Sequence, residues 1–213
     1  MTKTPAYNFD TWNKVLGKST VEIDAQGNAN INAIRQMEGN FAEEMMMLKH
    51  SLDERSQRDY FHKNSPVSGL IIRDFLLEVT KKDSIPIVNL EFSGQISRFG
   101  QATAKRLILK PFLEKITEDM LSNASLNLEE SYEITLPDGL EAEVDLEDTQ
   151  IEDKDFQFTL TNKFSEGKLL IERKIKLNLP EKLEIESMKE LLKTLNQAGS
   201  RSYYFIKSSS FSN

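Results

Sequence analysis

The one stretch of this chain where oxygen ligands crowd together is Asp145-Leu-Glu147-Asp148-Thr-Gln-Ile-Glu152-Asp153-Lys-Asp155. An acidic loop of this kind can offer calcium the roughly six to eight oxygens it takes. The spacing argues against it. No glycine lies between Gly139 and Gly167 to make the sharp turn around an ion. In an alternating strand Asp145 and Glu147 share a side that Asp148 does not. The expected state is a solvated, self-repelling loop that binds calcium weakly or not at all. Two acids facing one cleft would instead support glycoside cleavage. The acidic half therefore keeps a carboxylate-dependent hydrolase or carbohydrate-binding domain open as the alternative reading.

Other chemistry is sparse. The chain has no cysteine, which excludes disulfides, cysteine-ligated zinc, iron–sulfur clusters and a cysteine nucleophile. Its two histidines, His50 and His62, fall on different predicted helices, where each reads as a surface or helix-end residue and not as a ligand or base. The nine glycines are dispersed, so neither a P-loop nor a dinucleotide fingerprint is present to cradle phosphate. No G-x-S-x-G elbow and no H-E-x-x-H pair occurs. Asn123-Ala-Ser125 matches a glycosylation sequon, a short pattern frequent by chance. Of Met45, Met46 and Met47, at most two can face a core from one helix, which leaves at least one exposed. Tyr203 and Tyr204 in a strand should present one ring inward and one outward. No catalytic, cofactor-binding or metal-ligating residue is assigned, and no cofactor is expected.

Charge narrows the partners. Between Glu114 and Asp155 stand 15 Asp or Glu against Lys115 and Lys154, a local −13 within a chain of net −7, which leaves +6 to the remainder. The densest basic run, Arg173, Lys174 and Lys176, sits in a strand pattern that sends neighbours to opposite faces. Scattered cations of this kind do not neutralise a phosphate backbone, so nucleic acid is not an expected partner. No apolar run approaches the ~18 residues that span a membrane, and the first dozen residues lack a signal peptide's apolar core. With 38% apolar residues over 213 positions, the chain can bury a core without a staple.

Residues 19 to 35 have the alternation and the Gln26-Gly27-Asn28 turn of a β-hairpin. Asn40 with Glu43 predicts a capped helix to about His50, with Phe41, Met45 and Leu48 on its core face. A second helix runs from Ser51 or Asp53 toward Pro66. From Gly69 the period becomes two: Ile71, Phe75, Leu77 and Val79, interrupted at Arg73, then Val88, Leu90, Phe92 and Ile96, with Gly94 suggesting a bulge or bend. Residues 106–113 form a further apolar segment, followed by a short helix from about Pro111 to Leu121. Next come Tyr132, Ile134 and Leu136 before Pro137-Asp138-Gly139, and then Ala142, Val144 and Leu146. Phe156, Phe158 and Leu160 follow, turned by Ser165-Glu166-Gly167 into Leu169, Ile171, Ile175, Leu177 and Leu179. An amphipathic helix through Leu183, Met188, Leu191, Leu192 and Leu195 ends at Gly199, ahead of a last strand, Tyr203 to Ile206. Strands joined by short turns predict an α+β fold, mainly antiparallel β. Its sandwich-like sheet core carries two helices near the N-terminus and one near the C-terminus. A single domain over residues 1–213 is expected, with a seam at 113–130 if there are two, and with 1–14 and 208–213 loose.

Taken in order, several pieces resemble the C-terminal region of exported bacterial transglutaminase-like proteins, in which a β-rich module follows a papain-type catalytic domain. They are Thr20-Val-Glu-Ile-Asp-Ala-Gln-Gly-Asn28, Gly39-Asn-Phe-Ala42-Glu, Arg106-Leu-Ile-Leu-Lys-Pro111, Ile134-Thr-Leu-Pro137-Asp-Gly139, Leu169 to Leu177, and the helix ending in Tyr203 to Ile206. The chain departs from the pattern after Ala42, where Met45 to Met47 replace an arginine, and after Gly139, where a second proline is missing. The resemblance implies a non-catalytic accessory or interaction module, since the family's Cys, His and Asp belong to an upstream domain. It also implies the periplasm or cell envelope as location, and an upstream transglutaminase-like domain or another envelope protein as partner.

Overall fold

A computed structural model describes residues 13–65, 67–82, 85–111, 115–121, 125–144, 146–179 and 184–207. The hairpin predicted at the start consists of β1 (Lys14–Ile23) and β2 (Ala29–Glu38). Asp24 organises its turn: the carboxylate accepts from the backbone N–H groups of Gln26 at 2.9 Å and Asn28 at 2.8 Å. Gly27 takes φ +84°, and a Cβ there would lie 2.1 Å from the Gly100 carbonyl oxygen, so only glycine fits. Helices α1 (Asn40–Ser51) and α2 (Glu54–Asn64) follow, then β3 (Leu70–Lys82) and β4 (Ile85–Ile96). The short strands β5 (Gly100–Ala102) and β6 (Arg106–Leu109) and the four-residue α3 (Glu118–Leu121) lead into β7 (Ser125–Thr135). The chain continues through β8 (Leu140–Ala142), β9 (Thr149–Glu152), β10 (Phe156–Ser165) and β11 (Lys168–Asn178) to α4 (Ile185–Gly199) and β12 (Tyr203–Lys207).

The expected α+β, mainly antiparallel fold is what forms. Eight strands make one sheet in the order β3-β4-β2-β1-β7-β11-β10-β9, and four make a second, β5-β6-β12-β8. Alternation sorts each long strand into an inward and an outward row. The inward row of β11, Leu169, Ile171, Arg173, Ile175 and Leu177, is buried throughout. The same face takes in Val21, Ile31, Leu77, Leu90 and Phe158. At the β3 end of the large sheet α1 and α2 cover this face, with the rings of Phe61 and Phe75 5.0 Å apart. At the β10 end the small sheet covers it, through Phe164 and Phe205 at 5.1 Å. One pairing departs from the expectation: β1 runs parallel to β7 and so joins the two halves of the large sheet.

Local corrections have local causes. Ile71 is 58% exposed, because a bulge at Arg73 shifts the register between Ile72 and Asp74 and puts Leu70 and Ile72 inward instead. Gly94 is not itself the bulge. It faces it, and a Cβ there would lie 2.6 Å from the Ile71 carbonyl oxygen. Val144 is 57% exposed, since β8 ends at Ala142. The Asn40–Glu43 capping box does not form. Gly39 is the N-cap, and the side-chain oxygen of Asn13 accepts the Asn40 N–H at 2.9 Å. That buried Asn13 also donates to the Ser125 carbonyl at 3.2 Å, and Lys14, within the stretch expected to be loose, is the first residue of β1. Of the two starts offered for α2, Ser51 or Asp53, the second is close: Asp53 is its N-cap and accepts from Ser56 N–H at 2.7 Å. Of the helix expected at 111–121, residues 118–121 are helical and 112–114 lie outside the described residues, and α4 runs through Gly199 to a Ser200 cap. Residues 1–12, 83–84, 122–124, 180–183 and 208–213, with the turn after Lys82, the sequon's Asn123 and Leu183 among them, lie outside the described residues.

Candidate functional site

Under α1 and α2 the sheet does not close completely. A cavity of about 630 Å³ separates these helices and α3 from the inward rows of β1, β2, β4 and β7. Its floor is set by small residues, Gly17 and Ser19 on β1 and Ala33 on β2, where neighbouring inward positions carry Val21 and Ile31. Phe41 and Met45 of α1, Phe61 of α2 and Phe92 of β4 make apolar walls. This size and lining lie in the range of small-molecule sites, roughly 300–1,000 Å³.

Among the lining residues is a buried charged cluster. Register places Arg173, Glu130, Gly17 and Arg35 in a single row across β11, β7, β1 and β2. Arg173 and Glu130 are 2% and 4% exposed. The Glu130 carboxylate accepts from Arg173 Nε at 2.8 Å and also from its Nη2, both on Oε2. Its Oε1 accepts from Arg35 Nη2 at 3.4 Å and from the Tyr132 hydroxyl at 3.3 Å. Glu130 and Arg35 stand on strands two apart, about 10 Å from one another by sheet spacing. They meet because Gly17 between them has no side chain: a Cβ there would lie 3.4 Å from Glu130 Cγ. Gly17 is thus the opening through which the row connects.

Such a cluster is costly to bury and stable only when fully paired. Glu130 meets that condition through its four donor contacts. The Arg35 side chain is 30% exposed and lines the cavity.

The residues singled out from sequence sit elsewhere. His50 and His62 are exposed on α1 and α2. Met45 and Met46 pack against the core and Met47 is exposed. Tyr203 is buried and Tyr204 exposed, as alternation requires. In the acidic segment, Asp148 accepts the Asn162 N–H at 2.8 Å, and the Glu147 carbonyl accepts from Asn162 Nδ2 at 2.9 Å and from Arg201. Asp145 lies outside the described residues. Among the described residues no group of three or more His, Asp or Glu is placed to hold a metal ion. The sequence reading missed Arg35, Glu130 and Arg173. Their signal was parity: each charge occupies an inward slot, Arg173 between Ile171 and Ile175 and Glu130 between Leu128 and Tyr132.

The profile of a family described as Domain of Unknown Function with solved-structure structure (DUF3858) matches residues 99–205, from the start of the small sheet to the middle of β12. No curated protein matches the chain.

Proposed function

The chain belongs to the DUF3858 family, a domain of unknown function, and from that premise we propose that it is a non-catalytic accessory module that acts by binding. The observation that carries this reading is the cavity under α1 and α2, ligand-sized and apolar-walled, with its carboxylate engaged by protein donors on both oxygens. A carboxylate held by two guanidinium groups and a phenol is occupied in structure, which speaks against the hydrolase alternative. The ordered likeness to transglutaminase-like proteins supports placing the module beside a catalytic domain in the periplasm or cell envelope. Fractionation of cells expressing the native gene tests that location.

Binding itself is tested with a neutral environment-sensitive fluorophore, N-phenyl-1-naphthylamine. Its emission is expected to rise on mixing with the protein. It should fall back in Ala33→Trp, which fills the floor, and in Met45→Trp, which fills from the helix side. No rise with the wild-type protein, or an equal rise in both folded variants, overturns the reading.

A further inference from the structure

Resting on the binding reading above, we propose that the cavity takes an uncharged planar ring carrying one neutral hydrogen-bonding group, which meets the Ser19 hydroxyl. The shape follows from register. Phe92, Ala33, Ser19 and Tyr132 stand in one inward row across β4, β2, β1 and β7, and all four line the cavity. The row spans three strand spacings, about 14 Å. Aromatic residues hold its two ends, and the two small residues between them leave a trough. Phe41 and Met45 of α1 and Phe61 of α2 line the cavity from the helix side. A flat ring meets such walls in the offset and edge contacts that aromatic groups favour.

The polar contact is argued from what each polar lining group already does. Ser19 has the inward parity of Val15 and Val21, both buried, yet is itself only half-buried because the cavity lies over it. Among the described residues its hydroxyl has no hydrogen-bond partner. A hydroxyl offers one donor and two acceptor positions, so it can serve a ligand's hydroxyl or carbonyl. The other polar groups are placed differently. Asn40, Glu44, Asn64 and Thr117 are exposed, where water reaches them. Ser65 Oγ accepts the Val67 N–H at 3.1 Å, and the Tyr60 ring packs edge-on against Phe61 at 5.5 Å. The charges argue for a neutral ligand. Glu130 is met by Arg173, Arg35 and Tyr132, and Arg35 makes a further interaction besides. A carboxylate or ammonium in the trough would bring a charge that this cluster does not balance. An unpaired buried charge costs far more than a neutral group.

The test is competition against bound N-phenyl-1-naphthylamine at neutral pH by 2-naphthol, naphthalene and 2-naphthoate, which share one ring system. 2-Naphthol is expected to bind about fivefold more tightly than naphthalene, the size of one net hydrogen bond. 2-Naphthoate should bind about tenfold or more below 2-naphthol, because its buried charge goes unpaired. In Ser19→Ala the preference for 2-naphthol over naphthalene should vanish while the fluorophore still binds. Ser19→Thr, which keeps the hydroxyl, should retain it. No preference in the wild-type protein, one that persists in Ser19→Ala, or one lost equally in Ser19→Thr overturns the assignment and leaves the binding reading intact. So does 2-naphthoate binding as tightly as 2-naphthol. If the fluorophore itself fails to bind the wild-type protein, the binding reading falls and this assignment with it.

Discussion

At the scale of single residues, the pair at the centre of the large sheet decides most. Arg173 lies among Leu169, Ile171, Ile175 and Leu177, and its charge is tolerated there because Glu130 meets it. Removing one partner of a buried pair strands the other, at about 3–5 kcal/mol. Arg173→Met is expected at the lower end, about 3 kcal/mol, since Arg35 and Tyr132 still serve Glu130. Glu130→Gln combined with Arg173→Met should recover part of that loss, because neither buried charge of the pair remains. Urea denaturation of the two variants checks this; a double variant less stable than the single one sinks the account. The inward slots of these charges are readable from alternation alone. Their meeting is not, because it depends on the register of β11 on β7, which pairs Arg173 with Glu130 across 43 positions of sequence, and the approach of Arg35 depends on the parallel register of β1 on β7.

At the scale of elements, the sequence was legible wherever a period ran unbroken. β10 and β11 pair from Phe156↔Leu177 to Ser165↔Lys168 around Glu166 and Gly167, both at positive φ, just where the alternation and turn chemistry put them. The misplaced residues sit where one residue breaks the period, as Arg73 does in β3, or where a cap comes from far away, as Asn13 caps α1. Alternation required one of Tyr203 and Tyr204 to face inward; it is Tyr203, and that burial has a pH consequence. Burial pushes the Tyr203 phenol up to about 12, opposed by nearby Arg201 and reinforced by Asp148. Its hydroxyl donates to Asn162 of β10 and so fastens the small sheet to the large one. A pKa raised on folding contributes stability that is complete below the unfolded value near 10 and lost as pH rises toward 12. Lys168, also raised by Glu133, loses its contribution in the same direction. The difference between wild type and Tyr203→Phe isolates the phenol: the variant should lose less stability between pH 10 and 12. Parallel pH profiles for the two proteins would count against a buried, bonded hydroxyl.

At the scale of the whole molecule, the uneven charge seen in the sequence turns out to be distributed by pairing. The acidic stretch supplies β7, and the basic run supplies β11, its neighbour in the sheet. Glu130 meets Arg173 inside, Lys168 Nζ reaches Glu133 at 2.5 Å outside, and Glu129 stands across from Lys174. Farther along, Glu143 pairs with Arg106 across the small sheet. These contacts take carboxylates from the cluster one at a time, toward different strands. In the loop before β9 and in β9 itself the same dispersal continues. Asp148 is turned to the backbone of Asn162, and Glu152 accepts from Gln157 Nε2 at 3.0 Å. A calcium site needs its oxygens to converge, and each of these is directed to a different protein donor. The expectation is that millimolar calcium shifts the melting temperature no more than sodium chloride at matched ionic strength. Both salts should act only by screening exposed charges within a Debye length of about 10 Å at 0.1 M. Thermal melts with EDTA, with calcium and with matched sodium decide it. A rise of several degrees specific to calcium would mean that carboxylates of this segment gather around an ion and that the dispersal traced here gives way when one binds.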